Sequence, residues 1–425
     1  MRVDPDTRGE EWALRADERD PLAWCRGEFE LPTGTGGHPL HYFCGHSLGL
    51  LPKSARTVVT QELDDWARFG VEAHFEGTHP WYSYHERLRR PLAAIVGAEP
   101  GEVVAMNSLT VNLHLMLVSF YRPAEGRSKI LMEAGAFPSD SYAIESHIGT
   151  RGLDPAKEVV RLSPREGEAT LRTEDIETVL SERGREIALV LLPGVQFVTG
   201  QLLDIPRITA AARRAGCAVG FDLAHAAGNV PLSLHEWDVD FAVWCSYKYL
   251  NGGPGAVGGC FVHSRHAGDQ SLPRYGGWWG NDPSSRFRMQ LNESFVPVAS
   301  ADGWQLSNPP ILAMAPLLAS LALFERAGPA ELQAKSAALS LYLAYLLDDL
   351  PQDMARAITP AVRGAHGCQL SLRIRGDAAA VARALRDRDV VVDVRPPDIL
   401  RVAPVPLYNT FRDLWSFRRA LGELL

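Results

Sequence analysis

Little in this chain of 425 residues points to a membrane, a polyelectrolyte partner or an oxidising compartment. Its longest apolar run, residues 311–324, falls short of the roughly 20 residues a membrane-spanning helix needs, and reads as a buried helix. Positive charge is not in excess: the net charge is −8 with both signs interspersed, so no footprint for nucleic acid or an anionic bilayer exists. Only six cysteines are present (Cys25, Cys44, Cys217, Cys245, Cys260, Cys368), with no CxxC pair, which fits a reducing cytosol. Residues 1–6 are polar and acidic with no apolar signal core behind them, so a cytoplasmic location is expected. His41, Cys44 and His46 lie close in sequence but lack a second ligand pair at finger spacing; a loop beside a pocket explains them better than a metal. Internal repeats and low-complexity segments are also missing.

What is present is an alternation. The composition, 46% hydrophobic and 22% charged, is that of a globular protein, and the length calls for a large domain plus a smaller one. Short apolar runs at 129–132, 187–192, 218–221, 241–244 and 256–262 suit buried parallel strands. Helical text falls between several of them, as at 110–121 and 206–215, where Pro206 fits a first helical turn. Helices are also predicted over 54–70, with Val58, Val59, Leu63, Trp66 and Phe69 sharing a face, and over 82–96. Such repetition predicts an α/β fold with a mostly parallel sheet, right-handed crossovers and helices on both faces. Beyond Asn308-Pro309-Pro310 the pattern changes to helices over 311–327, 330–350, 377–387 and 411–424 with strand-like pieces at 368–374 and 390–394, a smaller α+β domain. The expected division is an arm and part of the small domain over 1–65, a large domain over 66–310, and a small C-terminal domain over 311–425.

Lys248 is the residue out of place. It stands between Tyr247 and Tyr249, just past the apolar run 241–245 and ahead of Gly252-Gly253-Pro254-Gly255. An ammonium at the end of a buried strand costs several kcal/mol unless paired or neutralised. An imine to an aldehyde cofactor such as pyridoxal 5′-phosphate (PLP) would justify it. That cofactor needs three more things, and each has a candidate. Asp222 ends the strand-like run 218–221, with His225 three residues on; a carboxylate there would keep the pyridine nitrogen protonated, although a turn or helix cap is the common fate of such an Asp. Asn107-Ser108-Leu109-Thr110 opens a helix, where free N–H groups and a hydroxyl make a phosphate site, with Tyr247 as a further donor. Phe137, followed by Pro138, could stack on the ring or be a core aromatic. Arg401 interrupts an apolar run; it is either a clamp for a substrate carboxylate or a surface arginine on an edge strand.

Taken together the segments resemble the kynureninases, members of the fold-type I PLP enzymes. The resemblance rests on Phe43-Cys44-Gly45-His46-Ser47-Leu48-Gly49, Val71-Glu72-Ala73-His74-Phe75, Met106 to His114, Ala136-Phe137-Pro138-Ser139-Asp140, Leu192-Pro193-Gly194-Val195-Gln196 and Asp222-Leu223-Ala224-His225-Ala226. Trp244 to Asn251, Gly277-Trp278-Trp279-Gly280, Ser307-Asn308-Pro309-Pro310 and Arg401 to Asn409 complete it. It implies that Lys248 holds PLP, that Asp222 pairs with the ring nitrogen and that Phe137 stacks on it. Leu109, Thr110 and Tyr247 would bind the phosphate region, with Ser139, Asp140 and His225 lining the site. Trp278 and Asn308 would arrive from the partner subunit of a homodimer, and Arg401 would hold the substrate carboxylate. His74, Ser307 and Asn308 look like the branch that prefers 3-hydroxykynurenine. The implied reaction is hydrolysis of the Cβ–Cγ bond to an anthranilate and L-alanine, with Lys248 and Tyr247 as the proton carriers. Two positions depart from the family's pattern: His46 replaces an Asn, and Asn281 replaces a His. Rival expectations are a cysteine desulfurase, for which Cys368 is the only later cysteine, an aminotransferase, and a non-catalytic paralogue serving as a scaffold.

Overall fold

The computed structural model describes residues 9–291, 294–362 and 364–425; the polar start at 1–6 lies outside them. At its centre is a seven-stranded sheet. In chain order the strands are β1 (Val103–Ala105), β2 (Lys129–Glu133), β3 (Val159–Leu162), β4 (Ile187–Pro193), β5 (Ala218–Asp222), β6 (Phe241–Trp244) and β7 (Gly259–Val262). Their spatial order is β1-β7-β6-β5-β4-β2-β3. Neighbours from β6 through β3 run parallel, and β7 runs antiparallel to both β6 and β1. The architecture is therefore the expected α/β one, with a mostly parallel central sheet.

Alternation along each strand divides the core. Leu131, Val190, Leu192, Val219, Phe221, Ala242 and Trp244 pack into one apolar cluster. Their chain neighbours Ile130, Met132, Leu189, Leu191 and Val243 pack into another on the opposite face. Successive strand side chains point to opposite faces, so a continuous apolar run is what a sheet covered on both sides requires. β1 and β3 escaped prediction. The first is only three residues long, and the second is half-exposed along its length. Residues 256–258, read from sequence as strand, precede β7 as irregular chain, and Gly259 meets the Trp244 ring closely enough that a Cβ there would collide with it. The connection from β5 to β6 carries turns.

The smaller sheet contains Ala355–Ala357, Leu370–Ile374, Ile399–Val402 and Asp393–Arg395 in that spatial order, all antiparallel. His41–Tyr42 pairs with Val390–Val391, and Ala13 and Phe43 join the apolar cluster of this part, so the N-terminal arm packs here. Helix Ile311–Ala327 sends Met314, Leu317 and Leu321 into the large cluster. Among the described residues no single helix is long and apolar enough to cross a membrane.

Helix Ser54–Phe69 forms as predicted but is turned over. Leu63 is 44% and Trp66 58% exposed, while Glu62 and Asp65 are buried. The reason is a turn packed beneath it: Glu62 accepts from Trp81 Nε1 at 2.9 Å and meets His79 Nδ1 at 3.0 Å, and Asp65 accepts from the Thr78 N–H at 3.0 Å. Two carboxylates with partners outweigh Leu63 and Trp66, which are left facing out, while Val58, Val59 and Phe69 are half-buried.

Candidate active site

Ligands on open α/β sheets sit beyond the carboxyl ends of the strands, and the chemistry-bearing residues converge there. One pocket is lined by Leu109, Thr110, Phe137, Ser139, Asp140, Asp222, His225, Tyr247 and Lys248. Asp222 ends β5 in register with Val243 of β6, and Lys248 follows β6 by four residues, so adjacent strands deliver both to one edge. The Lys248 Nζ lies 3.1 Å from His225 Nε2 and 5.9 Å from the centre of the Phe137 ring. Burial first, and then the charges of Lys248 and Arg401, hold His225 well below the usual imidazole range. Its Nε2 therefore accepts from the lysine, and its Nδ1 has no partner.

The helix Leu109–Phe120 presents its N-terminus to this pocket. Asn107 takes a left-handed φ of 48° to turn the chain into it, a conformation that Asn tolerates. Ser108 makes no capping bond through its side chain, so the first-turn N–H groups remain for an anion. The Thr110 and Ser139 hydroxyls meet at 2.9 Å beside it. Phe137 precedes helix Pro138–Thr150 and is 44% exposed, its edge against the Phe197 ring at 5.3 Å. It is an open ring face, not a core aromatic. Burial pushes the Tyr247 phenol up, which keeps its proton available at neutral pH.

Three carboxyls meet at the sheet edge. The Asp222 Oδ1 accepts from the Ala224 N–H at 2.7 Å, a turn role that the sequence allowed for, and Asp222 also faces Asp140. Burial and the neighbouring Asp222 raise Asp140 well above the carboxylate range, and its Oδ1 has no hydrogen-bond partner. Burial brings Glu133, at the end of β2, up to about 7. Glu133 was missed, although it ends an apolar run in the same way Asp222 does. Gln196 and Phe197 were also given no role; Gln196 Nε2 donates to the Gly135 carbonyl at 3.0 Å, shaping the wall around Glu133.

Arg401 is fully buried in Ile399–Val402, which has a strand on either side, so the edge-strand reading is wrong. Its Nη1 donates to the Phe197 carbonyl at 2.7 Å, Nε to Asp393 at 3.0 Å and Nη2 to Ser47 at 3.2 Å. That places the guanidinium behind a pocket-lining residue and braces it by Asp393, which no local pattern marks out. His46, also fully buried, has its ring 6.3 Å from that of His225.

Four expected residues lie elsewhere on this chain. Trp278 Nε1 donates to the Arg286 carbonyl, Ser307 bonds Asn308 at an exposed bend, and His74 sits against Trp81 at 5.5 Å. Ring contacts nevertheless link two of them on one surface: His74 to Phe75, Phe75 to Phe287, and Phe287 to Trp278, at 6.4, 5.6 and 5.7 Å.

Among the described residues one cluster has metal-ligand types, Glu102, His235 and His263. Its lone pairs are in use: Glu102 accepts from the Ser264 N–H at 2.8 Å, and the Arg265 N–H donates to His263 Nδ1 at 3.2 Å. All six cysteines are buried, and burial pushes Cys368 up to about 12, so a desulfurase's exposed sulfur acceptor is missing.

The residues present fit PLP: a lysine, a carboxylate at the neighbouring strand end, a helix N-terminus with two hydroxyls, and an open aromatic face. Comparison with known proteins agrees. A family model described as the kynureninase C-terminal domain matches residues 332–421. The chain is 53% identical over 412 residues to a kynureninase of Myxococcus xanthus, covering 97% of this chain and 96% of that one. It is 52% identical over 408 residues to one of Koribacter versatilis, covering 96% of each. Among solved structures, a C-DES mutant with glycine linked to its PLP cofactor superposes with a TM-score of 0.76 at 19% identity, covering 93% of this chain and 98% of that one. The cysteine desulfurase CsdA of Escherichia coli gives 0.74 at 17%, covering 95% and 99%. At those identities the two structures speak for the fold, which is that of the fold-type I enzymes. PLP is the cofactor that goes with the site and the family. At more than half identity over nearly its whole length, the chain belongs to the kynureninase family.

Proposed function

We propose that this enzyme hydrolyses the Cβ–Cγ bond of kynurenine, with a preference for the 3-hydroxy form, giving the corresponding anthranilate and L-alanine. The observation that carries this is the convergence of Lys248, Asp222 and the Leu109–Phe120 N-terminus on one pocket with Arg401 behind its wall. Bound PLP supplies an electrophilic carbon for the substrate amine and a cationic ring that draws electrons from the bonds beside it. Leu109, Thr110 and Ser139 would hold its phosphate end, Asp222 would pair with its ring nitrogen and Phe137 would stack on its ring.

Lys248 would take the α-proton and give it back at Cα before L-alanine leaves, with His225 Nε2 at 3.1 Å orienting its amine. Arg401 fixes the α-carboxylate. Water adds to the γ-carbonyl, which leaves as the aryl carboxylic acid, and the Cβ so released takes a proton from Tyr247. The preference for a 3-hydroxy ring is read from His74, Ser307 and Asn308; none of them lines the pocket on its own chain, and a second subunit would bring them to it. Support for a homodimer is the outward apolar surface: Leu63, Trp66, Val71 at 73% and Phe75 at 58% exposure, beside the aromatic chain from His74 to Trp278. A cytoplasmic location goes with six free cysteines.

Lys248→Ala tests the assignment. It should remove the imine absorbance band and turnover, and cleavage at wild-type rate would end the proposal. Comparing kcat/KM for kynurenine and 3-hydroxykynurenine tests the preference, which fails if kynurenine is the better substrate.

A further inference from the structure

Residues 43–49 tie the two halves of the site together. The Ala403 N–H, two residues past Arg401, donates to the Phe43 carbonyl at 3.0 Å, and the Gly49 N–H donates to the Tyr247 carbonyl at 2.8 Å. His46 sits midway. Its side chain is fully buried, and no group meets hydrogen-bond geometry at Nδ1 or Nε2, although the Phe43 carbonyl faces the ring. A buried polar atom left without a partner costs about 1–3 kcal/mol, a cost that an apolar residue of the same size would avoid. A filler role therefore does not explain a histidine here.

Its surroundings say what it is for. Arg401, Lys248 and Arg395 all act on the ring, and His225 is its aromatic neighbour. This is a cationic space, partly offset by Asp393, which is engaged by Arg401 and Ser47. Burial and the cations keep the imidazole uncharged, so one ring nitrogen carries a proton to donate. The amine and carboxylate of an α-amino acid share one carbon. A substrate whose amine displaces Lys248 and whose carboxylate meets Arg401 must reach from one to the other on the side of the site that residues 43–49 connect.

We infer that His46 is a substrate-binding residue: its ring N–H donates to the α-carboxylate that Arg401 meets from the other side. This rests on the reading of Lys248 and Arg401 given above. It also gives the departure from the family's Asn a chemical sense, since both side chains offer an N–H donor without a charge.

The test uses holoenzyme and two ligands that differ only at the carboxylate, L-alanine and L-alaninamide, with Kd read from cofactor absorbance. His46→Leu should weaken L-alanine roughly tenfold to a hundredfold, the range for a hydrogen bond to a charged group, and leave L-alaninamide within about threefold. His46→Asn should restore most of the L-alanine affinity. Equal weakening of both ligands, or no weakening of L-alanine, overturns the inference. Should His46→Leu not fold, the unmutated enzyme labelled with 15N-histidine decides: the His46 ring N–H resonance should shift on adding L-alanine and stay on adding L-alaninamide, and indifference to both refutes the contact. A wild-type enzyme with no preference between the two ligands would instead bring down the Arg401 clamp, and His46 with it.

Discussion

Replacing Glu133 by Gln should make the protein more stable at high pH than at low pH relative to wild type. The carboxyl is 5% exposed, receives only a 3.4 Å contact from Gln196 Nε2 and is brought to about 7 by burial, with Asp222 adding repulsion. Below its ordinary value of 4.5 it is protonated in the folded and unfolded chain alike, and no penalty arises. Between 4.5 and about 7 the unfolded chain ionises first, so stability is lost as pH rises through this window, and above it the loss is constant. At about 1.4 kcal/mol for each tenfold, the gap amounts to about 3 kcal/mol. Gln keeps the shape without the proton. Urea unfolding of cofactor-free protein at pH 5 and pH 8 should therefore show the variant gaining about 2–3 kcal/mol on wild type between the two. A difference that stays constant would mean that Glu133 is ionised in the fold at both pH values, and that the crowding of Glu133, Asp140 and Asp222 carries no electrostatic cost. If that cost is real, it explains why the edge suits a cationic ring.

Three further outcomes are expected. Gly49→Ala drives a Cβ into the Lys248 carbonyl and the Asn251 side chain; it should cost about 1–3 kcal/mol in unfolding free energy and weaken cofactor binding, and wild-type PLP affinity would show the contact to be soft. Trp66→Glu places a charge on the exposed apolar stripe and should shift light-scattering mass from dimer toward monomer; an unchanged mass removes that stripe from the interface. Tyr247→Phe should lower kcat by roughly 10²–10⁴-fold, the range for a lost general acid, with KM little changed, and undiminished alanine formation would assign the Cβ proton to another group.

How much of this was legible beforehand depended on the range of the interaction. Strand positions from β4 to β6 followed from apolar runs, because a strand covered on both faces has to be apolar at every residue. Lys248 and Asp222 stood out because each follows or ends such a run, and the Thr110 turn because it opens a helix. By contrast, which face of helix Ser54–Phe69 packs inward was not legible, since nothing in its periodicity announces that Trp81, His79 and Thr78 reach back to Glu62 and Asp65. Arg401 was ambiguous for the same reason: its partners Ser47, Phe197 and Asp393 come from three separate stretches of chain.

The amino-acid sequence alone determined the α/β class and the family, and it singled out Lys248 and Asp222, which the fold brings to one pocket. These follow from local pattern and from residue order. Only the tertiary structure decided that Glu133 joins Asp140 and Asp222 at one edge, that Arg401 is buried and braced, and that His46 lies buried and unpartnered beside His225. Burial, shared charge and missing hydrogen-bond partners are properties of what surrounds a side chain, and residues distant in sequence supply those surroundings.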